Sequence, residues 1–283
     1  MSEGFDGLRD WIGRRDSASD LCDTRRVADM AATLDLDAAP GHGAPLPPGW
    51  HWMFFNPMVR ARELGPDGHP RRGGFLPPVP LPRRMWAGGR LVFHAPVPVG
   101  TELRRESEIT GVEPKSGRSG RMVFVVVRHR ILAGGVLAIE EEHDIVYREA
   151  PAPGSAPPVA VPAPPCATAP WRRRIEPDAV LLFRYSALTA NGHRIHYDHP
   201  YVTGVEGYPG LVFHGPLTAT LLMALAETGF GRPLTRFEFR NKAPLFADAP
   251  FEIAGMPDAG GDAATLWAAT PAGGLATEAS AAA

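Results

Sequence analysis

The stretch "HGPLTATLLMALAETGFG", residues 214–231, constrains the fold more than any other part of the chain. It reads as a helix, with Pro216 suited to the first turn and Gly229 or Gly231 to the exit. Leu217, Leu221, Leu222, Met223, Ala224 and Leu225 leave Thr218, Thr220 and Glu227 as almost its only polar side chains. A helix so apolar around its circumference must be wrapped by other structure. Strand-like segments are available to wrap it. "TELRRESEITGVE" (101–113), "RMVFVVVRHRIL" (121–132) and "VLAIEEEHDIVY" (136–147) read as consecutive strands, the first two joined by the turn "KSGRSG" (115–120). Val123 to Val127 is apolar without alternation, so that strand is expected to be covered on both faces. After the apolar helix come the strand candidates "RFEFRNKAPLF" (236–246), "PFEIAGM" and "ATLWAAT". The Ala/Gly-rich tail beyond about residue 272 is expected to be loose.

The order of helical material and then strands occurs twice. Phe5, Leu8, Trp11 and Ile12 recur at helical spacing, as do Val27, Met30, Ala31 and Leu34. A Gly/Pro-rich tract follows, including "RRGGFLPPVPLPRRMWAGG" (71–89). Between the two copies, 8 of the 20 residues from Pro151 to Pro170 are proline, which neither donates to a sheet nor sits inside a helix. The chain is therefore expected to hold two units, residues 1–149 and 171–283, joined by a stiff extended spacer over 150–170. "VADMAATLD" (27–35) echoes "LFRYSALTAN" (182–191), which suggests a duplication whose first copy is degenerate.

Hydrophobic residues make up 44% of the 283 and charged ones 21%, with a net charge of -2. This is globular composition with no overall pull toward nucleic acid or anionic membranes. Cys22 and Cys166 are too few for a disulfide framework or a Cys-rich zinc site. The N-terminus has no apolar stretch of signal-peptide length, and no later stretch approaches a membrane span. The expected setting is cytoplasmic and reduced.

Chemistry concentrates in "ALTANGHRIHYDHP" (187–200), which crowds His193, His196 and His199 with Asn191 and Asp198. His193 and His196 with Asp198 and His199 are residue types that ligate zinc or iron, although no further ligand stands nearby at convincing spacing. Alternatively one imidazole is a general acid or base, since its pKa of about 6.5 allows proton exchange near neutrality. The same groups can also simply satisfy loop backbone. At the start of the apolar helix, Gly215 offers an unobstructed backbone N–H with the helix dipole behind it.

"FRYSALTANGHRIHYDHPYV" followed by "VEGYPGLVFHGPLTATLL" resembles the hydratase-2 signature of MaoC-like hot-dog proteins, in particular the hydroxyacyl-thioester dehydratase type 2 group and the mesaconyl-CoA hydratases. "GGFLPPVPLPRRMWAGG" is similar to the N-terminal portion of the same proteins. The resemblance implies an α+β double hot-dog fold, two antiparallel sheets each wrapping a central helix. Residues 1–149 would be a degenerate hot dog and 171–283 the catalytic one. It further implies a cofactor-free hydro-lyase with no metal, interconverting 2-enoyl and 3-hydroxyacyl thioesters of coenzyme A or an acyl carrier protein.

The family pattern Asp-x-Asn-Pro-x-His-x-Asp/Asn, laid on this chain, places its histidine on His196 and its last acidic position on Asp198. Its first aspartate falls on Asn191 and its Asn-Pro on His193-Arg194. A carboxamide does not exchange protons at neutral pH, so proton transfer rests on His196, with Asn191 orienting water or hydroxyl. The resembled type 2 group itself carries asparagine there, so the change is not read as inactivation. The family's oxyanion donor, the amide after a histidine at the helix start, maps to Gly215 after His214. His193, His214 and Asp198 are supporting candidates.

Arg71-Arg72, Arg83-Arg84, Arg172 to Arg174, Arg236 and Arg240 are candidates for cofactor phosphates. Arg236 and Arg240 are alternatively placed for a substrate carboxylate, which would suit a C5 dicarboxylic thioester such as mesaconyl-CoA. Arg84 and Trp86 are the first-half candidates for substrate binding, with Phe75, Leu76 and Trp86 as an apolar wall over the acyl group. Alternatives are a 3-hydroxyacyl-ACP or -CoA dehydratase of fatty acid metabolism, a hot-dog thioesterase, and a non-catalytic acyl-CoA-binding subunit. Glu227, the only acid on the apolar helix, stands three turns from Gly215 and disfavours the thioesterase. A homodimer is the candidate assembly.

Overall fold

The computed structural model describes residues 5–117, 120–150 and 160–283. Ten antiparallel strands form one continuous sheet. In the first half, β1 (Arg15–Leu21), β2 (Arg83–Phe93), β3 (Glu102–Gly117), β4 (Gly120–Ala133) and β5 (Val136–Arg148) lie in the order β1-β3-β4-β5-β2. In the second half, β6 (Trp171–Ile175), β7 (Arg236–Asn241), β8 (Phe251–Pro257), β9 (Ala263–Ala269) and β10 (Leu275–Ala282) lie in the order β7-β10-β9-β8-β6. Read from the shared seam outward, the two orders are the same. The seam itself pairs β2 with β7, Gly88 to Val92 running against Arg240 to Arg236. The fold is a double hot dog whose two sheets fuse edge to edge.

The repeat extends to local detail. Helix α1 (Thr24–Thr33) and helix α2 (Ala179–Leu188) follow the first strand of their halves. Each is capped by an aspartate, Asp23 accepting from Arg26 N–H and Asp178 from Leu181 N–H. Each ends in a left-handed residue twelve positions after its cap, Asp35 at φ 56° and Ala190 at φ 48°. Each then closes a six-residue backbone ring, Leu36 N–H to Ala31 O and Asn191 N–H to Ser186 O.

Helix α3 (His199–Gly204) is short. Helix α4 (Gly215–Phe230) is the apolar element, with Pro216 in its first turn and Gly231 as its left-handed C-cap. It lies on β6 to β10. It is enclosed from Leu217 to Met223, then surfaces at Ala224 and Thr228. The expected counterpart in the first half is absent. Between α1 and β2 the chain forms only short 3-10 turns, at Trp50–Met53 and Ala61–Glu63. Trp50, Trp52, Met53 and Phe54 fill the core space with bulky side chains where the second half uses a helix.

Four further expectations are corrected. The tail beyond residue 272 is not loose: β10 is an interior strand between β7 and β9. Val123, Val125 and Val127 are buried while Phe124 and Val126 are only half-buried, so β4 has one closed face rather than two. The described part of the spacer, residues 160–170, packs on the second half: Cys166 and Ala169 are buried beside Trp267, and Pro162 bridges to Gly274. The rest, 151–159, lies outside the described residues, as does part of the 115–120 turn. Phe75 and Leu76 pack with Val79, Leu81 and Tyr147 under β3 to β5, not against the cavity described below.

Candidate active site

The Schellman-type end of α2 fixes where the polar turn begins. Ala190 adopts a left-handed conformation that a residue with a Cβ enters at a cost of roughly 1 kcal/mol, and the ring it closes orients Asn191. Asn191 Oδ1 then accepts the backbone N–H of His193 at 3.1 Å. Its oxygen is thereby engaged, and the group left for a ligand is the donating NH2.

A 3-10 turn, Arg194–His196, follows and is stapled to the segment before α4: Val212 N–H donates to Ile195 O at 3.0 Å. His196 Nδ1 lies 2.7 Å from Val212 O. A carbonyl only accepts, so Nδ1 carries the proton and Nε2 presents its lone pair. The ring is buried, 7% exposed, and stacks on His214 with centroids 3.7 Å apart and planes 18° apart. Burial lowers its pKa to about 4, against the opposing Val212 hydrogen bond, so the imidazole is neutral at pH 7. His214, the N-cap residue of α4, is fully buried, and its Nε2 lies 2.9 Å from Ser186 Oγ. Burial holds it well below the usual histidine range too. Its next residue is Gly215, the first of α4. The polar turn and the helix start are therefore one site. A neutral base is stacked on the residue that carries the helix-opening amide.

Gly215 has a steric reason to be glycine. A Cβ there would stand 2.7 Å from Asn241 Nδ2. That amide donates to Trp86 O at 3.0 Å, and its oxygen accepts from Thr277 Oγ1 at 2.9 Å.

The first half reaches this site through the loop at 65–69. Arg194 N–H donates to Asp67 O, and its guanidinium to Pro66 O at 3.0 Å. Gly68, at φ 87°, passes so close to Gly192 that a Cβ would run into the Gly192 carbonyl. The contact seats His69 on His193, centroids 4.2 Å apart, with Asp67 Oδ2 at 3.2 Å from His69 Nδ1. Burial lowers His193 to about 2, helped by the neighbouring His69 and His196. Burial works to raise Asp67, but the His69 hydrogen bond and the imidazole charges outweigh it and hold the carboxyl low. Arg84 lines a small cleft here with Asp67, His193 and Tyr208.

Asp198 has a structural task. It caps α3 by accepting Tyr201 N–H and is forked by Arg194 at 2.7 and 2.9 Å. Arg236 and Arg240 stand on the exposed face of β7, alternating with inward Phe237 and Phe239, and so point away from the site. Glu227 sits near the far end of α4, half-buried, with burial raising its pKa.

Asn191 and Pro216 also line a cavity of about 180 Å³ whose other walls are mostly first-half residues: Trp52, Phe54, Phe55, Trp86, Arg105 and Ile131 among them. Beside them Glu141, 3% exposed, is held at Oε2 by Trp52 Nε1–H at 2.9 Å and His51 Nε2 at 3.2 Å, and its Oε1 faces His143 Nε2 at 3.1 Å. Burial would raise this carboxyl, but the two imidazoles outweigh it and keep it ionised. Trp86 packs its ring between Trp52 and His143, 5.0 and 4.0 Å away. The sequence reading placed Trp86 here but missed Glu141, His143, His51 and Arg105. Their signal was parity: Glu141 and His143 share the strand face of Ile139 and Tyr147, an acid and a histidine at core positions.

Among the described residues two groupings bring metal-ligand atoms within 4.8 Å of one another, Asp67–His69–His193 and His129–Glu141–His143. The folded chain thus gives His193 the neighbours that linear spacing did not. Each grouping already contains a direct contact, Asp67 to His69 and Glu141 to His143.

The family and the curated relative matched by this double hot dog define it as a hydro-lyase of acyl thioesters. The model of the family described as hydroxyacyl-thioester dehydratase type 2 matches residues 49–247. The chain belongs to that family. It is 49% identical over 95% of both chains to a mesaconyl-C(4)-CoA hydratase of Chloroflexus aurantiacus. Among solved structures it resembles HtdX of Mycobacterium tuberculosis, 17% identical, with TM-score 0.67 over 94% of this chain and 98% of the other. A second Mycobacterium tuberculosis protein, described as a double hot dog, matches with TM-score 0.52 at 15% identity over 96% of each chain. No helix among the described residues is long and apolar enough to cross a membrane.

Proposed function

We propose that the protein hydrates a short, branched, dicarboxylic 2-enoyl-CoA such as mesaconyl-CoA, reversibly, with His196 as the proton-transfer group. The observation that carries this reading is the fixed tautomer of His196. Val212 O occupies Nδ1, which leaves a neutral, buried Nε2 as the only lone pair of that ring. In hydration Nε2 takes a proton from water as the oxygen bonds to C3, and the NH2 of Asn191 steadies that water. Negative charge develops on the thioester oxygen, where Gly215 N–H donates; one such donor is typically worth about 3 kcal/mol. The proton then passes from Nε2 to C2. His214 supports the base by stacking, and His193 closes the site from the loop side.

The Chloroflexus relative supports the dicarboxylic substrate, and the cavity supports a short one. A cavity of about 180 Å³ suits a C5 acyl group better than a long chain, which favours the dicarboxylic thioester over fatty acid metabolism. The same reading makes residues 1–149 the acyl-holding unit and 171–283 the catalytic one, supported by the repeated strand order. It also places the protein in the cytoplasm as a homodimer, supported by free cysteines and by Val180 and Phe183, 61% and 62% exposed side by side on α2.

The test is hydration of mesaconyl-, crotonyl- and long-chain enoyl-CoA, followed as loss of enoyl absorbance without thiol release. His196→Ala should lower kcat at least a hundredfold while the protein melts normally. Near-full activity in that variant would remove His196 from the mechanism, and thiol release would make the protein a thioesterase.

A further inference from the structure

Arg105 is the arginine that lines the cavity. It lies on β3 between buried Leu103 and Ser107, on the face that looks into the fold. Its Nε is buried with no hydrogen-bond partner among the described residues. Its guanidinium lies over the Phe55 ring, 5.2 Å from the centroid. Glu141 and Asp16 are the carboxylates whose charge acts on it, but neither pairs with it among the described residues: one Glu141 oxygen is taken by His51 and Trp52, and the other faces His143 Nε2 at 3.1 Å. A guanidinium partly withdrawn from water with no anion paired to it is unfavourable, and it becomes favourable when a planar anion completes its fork. The cavity it lines is also lined by Asn191, which opens the turn that holds His196, and by Pro216, the chain neighbour of Gly215, so an acyl group filling it ends beside that turn and the helix start.

We propose that Arg105 anchors a carboxylate on the acyl group, which makes the first half of the chain the selector of substrate. The proposal rests on the reading of the protein as an acyl-CoA hydratase and assigns its selectivity to one residue. The thioester oxygen sits at Gly215, the reacting double bond lies beside His196 and Asn191, and the carboxylate extends between Trp86 and Phe55 to the guanidinium. Trp52 and Trp86 then contact the apolar part of the acyl group. Arg236 and Arg240, on the opposite face of the sheet, take no part.

The experiment compares mesaconyl-C4-CoA with 3-methylcrotonyl-CoA, in which a methyl group replaces the carboxylate. Hydration rates and direct calorimetric binding are measured for the full chain and for Arg105→Met and Arg105→Lys. The wild type should favour the carboxylate thioester. Arg105→Met should cut that preference, as a ratio of kcat/KM and of affinity, by at least thirtyfold, and Arg105→Lys should restore part of it. An unchanged preference in a folded Arg105→Met variant overturns the proposal, as does equal wild-type affinity for the two thioesters. If Arg105→Met does not fold, Arg105→Lys and the wild-type ratio still decide. Selective binding of the carboxylate thioester without turnover of either compound upholds the anchor and refutes the hydratase reading. Turnover of both without preference does the reverse.

Discussion

Acidification should strike this protein through its buried histidines, and the effect on His196 follows from its surroundings. In the unfolded chain a histidine titrates near 6.5, whereas in the fold burial lowers His196 to about 4. The unfolded state therefore binds more protons between these values, and stability is complete above about pH 6.5 and falls as pH drops toward 4. Between pH 7.5 and 5.5 His196 alone should remove about 1–2 kcal/mol. His214 and His129, both buried and both held well below the usual range, act in the same direction. Even the His196 share alone is a sizeable part of a typical folding free energy of about 5–15 kcal/mol. The assay is urea unfolding at pH 7.5, 6.5 and 5.5 for the wild type and His196→Gln. The variant's stability should depend on pH less steeply, by up to one proton. In parallel, kcat/KM of the wild type should show no inflection near 6.5 wherever the protein stays folded, because the catalytic ring is already neutral. Equal pH slopes for wild type and variant, or an activity inflection at 6.5, would refute the environment assigned to His196.

Other substitutions probe the remaining parts. Gly215→Ala suits helix propensity, yet its Cβ would press on Asn241 Nδ2; it should cost about 1–3 kcal/mol in thermal or urea unfolding and lower kcat by displacing the amide donor. Asn191→Asp supplies the acid of the wider family pattern but removes the NH2 donor, so kcat should fall at least tenfold, whereas a rise would give position 191 a proton-transfer role. Glu141→Gln leaves His51, Trp52 and His143 without their shared anion and should destabilise by about 3–5 kcal/mol, measured by urea unfolding.

The helix α4 was legible because its pattern is local and extreme, and its Pro216 start and Gly231 stop are local signals too. Strands β3, β4 and β5 were legible for the same reason. Four strands were not. β6 is "WRRRI", three exposed arginines on an edge strand. β2 lies hidden in a Gly/Pro-rich tract with a bulge between Trp86 and Gly88. β1, "RDSASDL", is mostly exposed and polar. β10 is built largely from alanine, serine and threonine, and its place comes from neighbours on both sides, β7 and β9. Strand propensity is a weak guide where pairing on two edges decides the outcome.

The same division explains the site. His196, at the end of the turn from Asn191, and Gly215, at the start of α4, are 19 residues apart, near enough in sequence for a motif to carry them together. The cavity is assembled from residues as distant as Trp52, Arg105 and Glu141, which meet Asn191 only when β2 pairs with β7 and the 65–69 loop docks on Arg194. No local pattern encodes that meeting. What the sequence does contain is a set of inward positions on β3, β4 and β5 filled by Arg105, His129, Glu141 and His143, where a purely structural hot dog would carry apolar residues. Buried polar groups persist against that preference when they serve a ligand or one another. Ser107 with His129, and Glu141 with His51 and Trp52, serve one another; Arg105, on the cavity wall with its Nε unpartnered, is left to serve what enters.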